Sequence, residues 1–120
     1  MKDERKLNCP FELTIELIGG KWKGIILWHL HENKVLRNGE MLRLMPNITQ
    51  KMLTQQLREM EANALVERVV YEQVPPKVEY SLTSHGEKLR PILDMMLSWG
   101  VEYAQDEGID LGCATANKAK

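Results

Sequence analysis

The sequence predicts a mainly α-helical domain carrying one small β-hairpin. Three observations carry that expectation. Leu53, Leu57, Met60 and Ala64 recur at helical spacings of four, three and four residues. Two runs with strand-like alternation, Leu65 to Gln73 and Val78 to Leu82, flank the pair Pro75-Pro76. A first and a last segment, around Phe11 to Ile18 and Leu89 to Val101, read as helices with more apolar surface than one small domain easily buries.

The composition sets outer bounds. A chain of 120 residues is long enough for one domain with a real core. Its 43% apolar and 28% charged residues place it with globular rather than disordered chains. No apolar run approaches the ~18 residues that a membrane helix needs. The opening MKDERKLNCP is charged and lacks the apolar stretch of a signal peptide. The expectation is therefore a cytoplasmic protein without a membrane partner. Residues 1–107 are expected to form a single domain, and 108–120, small and polar, a mobile tail. Cys9 and Cys113 do not make a disulfide framework or a CxxC site, and His29, His31 and His85 supply no zinc pattern beside them. No paired carboxylates, catalytic triad order or ligand set stands out, so no catalytic residue, metal or cofactor is expected.

The net charge of −1 conceals an asymmetry. Lys21 to Arg58 holds seven basic side chains against two acidic ones, Glu32 and Glu40, while Glu59 to Lys120 holds six against eleven. A dipolar chain of this kind can present a local basic footprint, although charge runs are also ordinary solvated surface.

Taken in order, Pro10 suits a first helical position, with Cys9 just before it. Phe11, Leu13, Leu17 and Ile18 make a rough apolar stripe that Gly19-Gly20 ends. In KWKGIILWHL, six of the nine positions from 22 to 30 are apolar, which predicts a central helix buried on most sides. The Gly-Gly-Lys before it lacks phosphate-loop spacing. Glu32 to Leu36 reads as a short connection with one or two extended residues. Asn38 is expected to cap a short helix to about Met45, broken by Pro46-Asn47.

The segment ITQKMLTQQLREMEANALV follows. Thr49 is a good N-cap, and Ile48 with Leu53 makes a hydrophobic staple. At 100° per residue, Lys51, Gln55 and Arg58 fall opposite the apolar stripe, with Thr54 and Gln50 near its edges. Two helices joined by a short turn, the second with a long basic face, form a helix-turn-helix. Lys and Arg neutralise phosphates and read guanine, and Gln bonds adenine bidentately. Periodicity alone shows only which side faces out, and a plain solvated helix has the same pattern.

Proline cannot donate to a sheet ladder, so Pro75-Pro76 belongs at the tip of a hairpin, where no donor is required. Lys77 then charges that tip. The order helix, turn, helix, hairpin makes this a wing, and the fold a winged helix-turn-helix. Thr83 or Ser84 caps the last helix, Ser84 and Glu87 having capping-box spacing, and Pro91 lies near its first turns or kinks it. Leu89, Ile92, Leu93, Met96, Leu97, Val101 and Trp99 give that helix a wide apolar surface. Burial of it and of the first helix in a symmetric dimer is the economical solution; packing of both onto the core is the alternative. The tryptophans at 22 and 28 are expected in the core rather than around a ligand.

These pieces together resemble the HxlR-type family of bacterial winged helix-turn-helix regulators. The matching stretches are Cys9-Pro10, LIGGKW from Leu17, ITQKMLTQQLREME from Ile48, LVER from Leu65, VPPKVEYSLT-x-x-G from Val74, and P-x-L-x-x-x-x-x-W from Pro91. They span roughly residues 9 to 103. The resemblance implies a homodimeric transcriptional regulator on double-stranded operator DNA of two-fold symmetry, its first and last helices forming the dimer contact. It implies that the helix from Thr49 enters the major groove and that the hairpin around Pro75 to Lys77 approaches the backbone or minor groove. Lys51, Thr54, Gln55 and Arg58 are then the base-reading candidates. Gln50 reaches a phosphate through the helix N-terminus, and Arg37, Asn38, Arg43 and Lys77 are candidate backbone contacts.

Several members of that family sense thiol-reactive electrophiles or oxidants through a cysteine before the first helix, and Cys9 occupies that position. A helix N-terminus stabilises a thiolate, and Arg5 and Lys6 add positive charge nearby. The contrary reading is an inert cysteine packed under the helix. Cys113 reads as an incidental thiol in the tail or as a resolving partner. A reading from another class is a winged-helix module that binds protein instead of DNA, which the basic helix face disfavours.

Overall fold

The computed structural model describes residues 9–111. The expectations about Arg5, Lys6, Cys113 and the end of the tail concern positions outside the described residues. The elements run α1 (Pro10–Ile18), α2 (Lys23–Asn33), β1 (Val35–Leu36), α3 (Asn38–Leu44), α4 (Gln50–Ala62), β2 (Val66–Tyr71), β3 (Lys77–Leu82), α5 (Ser84–Glu87) and α6 (Arg90–Glu107). They fall into two compact units, Met1–Glu87 and Lys88–Lys120. The first holds α1 to α5 and the sheet, and the second holds α6.

In the first unit, Pro10 opens α1 and Cys9 is its N-cap, with the Cys9 carbonyl accepting from the N–H groups of Glu12 and Leu13 at 3.1 and 3.4 Å. Helix α2 buries Ile26, Leu27, Leu30 and His31. Ile25 is 43% exposed and Trp22 and Trp28 are half-buried, so α2 is covered along one stripe, not on most sides as expected. The run Ile25-Ile26-Leu27 has no periodicity, and consecutive residues on a helix point about 100° apart, so one of the three must face out.

Helix α3 corrects one expectation. Asn38 does not cap it; Arg37 holds the N-cap position and Asn38 is already helical. The terminal amide is satisfied from within the helix instead, by Glu40 Oε1 accepting from the Arg37 N–H at 2.8 Å. Thr49 caps α4 as expected, its Oγ1 accepting from the Met52 N–H at 3.1 Å. Ile48, Leu53, Leu57 and Met60 are all buried. Ala64 does not continue that stripe. The helix stops at Ala62, and Ala64 sits exposed at φ 61°. Its N–H donates to the Glu61 carbonyl and that of Leu65 to the Met60 carbonyl, at 3.1 and 2.9 Å. This is a Schellman ending, with buried Leu65 and Met60 as its apolar pair.

The chain then enters an antiparallel sheet of order β1-β3-β2. Val35 and Leu36 pair with Ser81 and Tyr80, so the short extended stretch expected before α3 is an edge strand of a three-stranded sheet. Strand β2 pairs with β3 from Val66↔Leu82 to Tyr71↔Lys77. Leu36, Val66 and Tyr80 are buried on the inner side, against which α2 and α4 pack. Pro75 and Pro76 lie in the connection between the strands, where no ladder donor is needed.

Thr83 closes the first unit. Its hydroxyl donates to the Ala64 carbonyl at 2.6 Å and accepts from the Gly86 N–H at 3.1 Å, so Thr83 caps α5 and the Ser84–Glu87 spacing is unused. Gly86 is buried against the Leu65 carbonyl, which a Cβ would strike.

The second unit corrects the expectation of one last helix from Ser84. Helix α6 begins separately, with Pro91 in its first turn, where a missing N–H costs nothing. It ends at Gly108, whose φ of 71° is the left-handed cap that glycine adopts without strain. Leu93 and Ala104 are buried. Ile92, Met95, Met96, Trp99 and Tyr103 are exposed along a second stripe, with the Trp99 and Tyr103 rings stacked 5.0 Å apart. Among the described residues no helix is long and apolar enough to cross a membrane, and no His, Cys, Asp and Glu group has the makings of a metal site.

Candidate nucleic-acid interface

Burial of Leu53, Leu57 and Met60 fixes the rotation of α4, because a helix has one orientation that hides residues spaced four and three apart. The opposite side presents Gln50, Lys51, Gln55 and Arg58 in the open, with Thr54 half-buried at the edge. Lys51, Thr54, Gln55, Arg58 and Glu59 line one open surface depression. Four of these five are the base-reading candidates from the sequence, now gathered into one place.

Glu59 is the fifth, and sequence reasoning missed it. An unpaired carboxylate here would repel phosphates. Its Oε1 instead lies 2.7 Å from Lys23 Nζ, at the start of α2. The ammonium donates a hydrogen bond to the carboxylate and sits beside it, and both effects hold Glu59 below the usual carboxylate range. Lys23 is largely covered, its side chain 14% exposed against 44% for Glu59. The pair therefore ties α2 to α4 and cancels the negative charge at the rim of a basic face. Gln55 Nε2 donates to the other oxygen of Glu59 at 3.4 Å. The Gln55–Glu59 spacing of four was readable in the sequence. The Lys23–Glu59 pair, joining two elements, carried no local signal.

The expected backbone contacts divide. Arg37 and Arg43 are exposed at the two ends of α3. Asn38 is half-buried, and its Oδ1 is buried with no hydrogen-bond partner among the described residues. Lys77 is not at the hairpin tip but at the first position of β3, opposite Tyr71. Its Nζ lies 3.4 Å from Glu79 Oε2 and 4.8 Å from the centre of the Tyr71 ring. The same Glu79 accepts from the Tyr71 hydroxyl, and that bond, with the carboxylate charge, pushes the phenol up. At the tip, Val74 is 99% exposed beside the two prolines.

Cys9 is a free, exposed thiol at the α1 N-cap, not packed under the helix. Around it, Phe11 is 73% and Ile15 52% exposed, one turn apart on α1.

The arrangement is a helix-turn-helix of α3 and α4 followed by a β-hairpin wing, with an outward face suited to DNA. The model of HxlR-like helix-turn-helix proteins matches residues 17–108. The chain belongs to the HxlR-like helix-turn-helix family. Its relatives agree. It is 56% identical over 101 residues to the HTH-type transcriptional regulator YtcD of Bacillus subtilis, covering 84% of this chain and 79% of that one. Among solved structures, the redox regulator HypR in its reduced form is similar at 53% identity and a TM-score of 0.76, covering 82% of this chain and 95% of HypR. HypR in its oxidized form is similar at 55% identity and a TM-score of 0.73, covering 77% and 94%. The winged helix-turn-helix fold, a family of transcriptional regulators and the basic face of α4 thus converge: this HxlR-like protein is a DNA-binding transcriptional regulator.

Proposed function

We propose that the protein binds a two-fold-symmetric operator as a homodimer, and that thiol-reactive electrophiles or oxidants alter this binding through Cys9. The observation that carries the DNA reading is the outward face of α4, where Lys51, Thr54, Gln55 and Arg58 line one depression and the only carboxylate among its lining residues is neutralised by Lys23. The dimer reading rests on two apolar stripes left open, Phe11 and Ile15 on α1 and Ile92, Met95, Met96, Trp99 and Tyr103 on α6. Open apolar stripes on two helices are what a second copy covers in a two-fold contact. Two reading helices then stand about one DNA turn, ~34 Å, apart. Gln50 at the start of α4 and Arg37, Asn38, Arg43 and Lys77 are the backbone contacts in this reading.

Cys9 enters because it is an exposed thiol at the N-cap of α1, two residues before Phe11 of one of those stripes. HypR, at more than half identity, is itself a redox regulator. A covalent change at Cys9 alters the surface on which the dimer is built, and so the spacing of the reading helices.

The test is a fluorescence-anisotropy titration of reduced protein on DNA from upstream of its own gene, against a scrambled duplex of equal length. Selective binding that falls or rises with diamide, and a Cys9→Ser variant that binds normally but ignores diamide, are expected. Equal weak binding to both duplexes and to DNA selected from random sequence overturns the regulator reading. An unchanged diamide response in Cys9→Ser overturns the sensing role. A monomer in sedimentation at micromolar concentration overturns the dimer.

A further inference from the structure

We propose that Glu59 is a positioning residue for base recognition: anchored by Lys23, it holds the Gln55 amide in one orientation and so sets an adenine preference at one base pair of each half-site. This rests on the reading of α4 as the recognition helix.

A glutamine amide is ambiguous in isolation. Rotation by half a turn exchanges its acceptor for its donors, and the base it matches changes with it. Here a neighbour biases the choice. A carboxylate only accepts, so the Gln55 atom facing Glu59 Oε2 at 3.4 Å is the Nε2 amide nitrogen. One N–H is thus committed to Glu59. The second N–H and the Oε1 acceptor remain, side by side, on the outward face. That donor–acceptor pair complements the N7 acceptor and N6 donor of adenine in the major groove.

Glu59 could not do this if its own carboxylate were free to rotate or to take a proton. Lys23 opposes both. The 2.7 Å bond to Oε1 fixes one oxygen and leaves the other for Gln55. Because Lys23 is mostly covered on α2, the anchor stands on the scaffold and not on a loose surface chain. A long bond such as Gln55–Glu59 biases an orientation without locking it, and a bias at a base contact is read out as sequence preference.

Selection from random duplex DNA tests this, with the wild type, Gln55→Ala, Glu59→Gln and Lys23→Met, each first shown folded by circular dichroism. The wild type is expected to select a two-fold motif with adenine at one position per half-site, and Gln55→Ala to lose it. Glu59→Gln, whose amide can either donate or accept, should lower discrimination at that same position about fivefold or more, while the other positions stand. Lys23→Met should shift the same position in the same direction. A motif unchanged in Glu59→Gln overturns the proposal, as does loss of a cytosine at a different position, which makes Glu59 a base contact itself. Equal weakening at every position also overturns it and leaves a structural role. If the wild type selects no motif, the reading of α4 fails, and the proposal with it.

Discussion

The Thr83 hydroxyl donates to the Ala64 carbonyl at 2.6 Å, joining the end of the wing to the turn that leaves α4. The same oxygen accepts from the Gly86 N–H, so one side chain serves two backbone groups from segments far apart in sequence. Thr83→Val keeps the shape and removes both bonds. It should cost about 1–2 kcal/mol in urea unfolding. Thr83→Ser should recover most of that loss. An unchanged midpoint in the valine variant would show that solvent satisfies both groups equally well.

Ala64 invites the opposite kind of change. It occupies the left-handed position of the Schellman ending at φ 61°, where a Cβ is strained and glycine is not. Ala64→Gly should raise stability by about 0.5–1 kcal/mol, after the extra freedom that glycine gives the unfolded chain is subtracted. The urea midpoint should move with no change in slope. A drop in midpoint would mean that the unfolded-state term wins.

Ala64 also marks the limit of what could be read from sequence. The periodicity of Leu53, Leu57 and Met60 identified α4, its cap and its basic face, since burial of an amphipathic helix is decided locally. Ala64 fitted the same spacing, but alanine is small enough to sit anywhere, and hydrogen bonding of the helix end overrode the pattern. The wing was legible for a similar reason, because Pro75-Pro76 can occupy few places in a sheet. Lys77 was not placed correctly, since strand length decides whether it charges the tip or pairs with Glu79. Glu40 at the third position of α3 was a readable capping signal, outweighed by the general preference for Asn38 at a cap. Lys23 and Glu59 lie 36 residues apart, and nothing local announces a bond between side chains of two packed helices.

In the proposed reading of α4, Arg58 and Lys51 face the DNA. Arg58→Ala should weaken specific binding by about 1–3 kcal/mol and relax one position of the operator if it reads a base. Lys51→Ala, if Lys51 meets a phosphate, should weaken all sequences alike and lower the slope of log affinity against log salt by about 1. Anisotropy titrations at several salt concentrations separate the two behaviours. Retention of full affinity in both variants would remove α4 from the interface.

The Lys23–Glu59 pair makes stability depend on pH in a definite direction. Its hydrogen bond and charge hold the folded Glu59 below the ordinary value of 4.5. A depressed folded value means that the unfolded chain takes up the proton first as pH falls. The stabilisation is therefore complete above about pH 4.5 and is lost as pH drops through the folded value. Glu59 is 44% exposed, so solvent screens the pair and its worth is that of a surface ion pair, about 0.5 kcal/mol. Glu59→Gln should be less stable than the wild type by roughly that amount at pH 7, and the gap should close as pH falls through the depressed folded value. Urea unfolding of both proteins across that range checks it. A gap that persists at low pH would assign the loss to packing between α2 and α4, because protonated Glu59 and glutamine differ little in shape and neither carries the charge that Lys23 attracts.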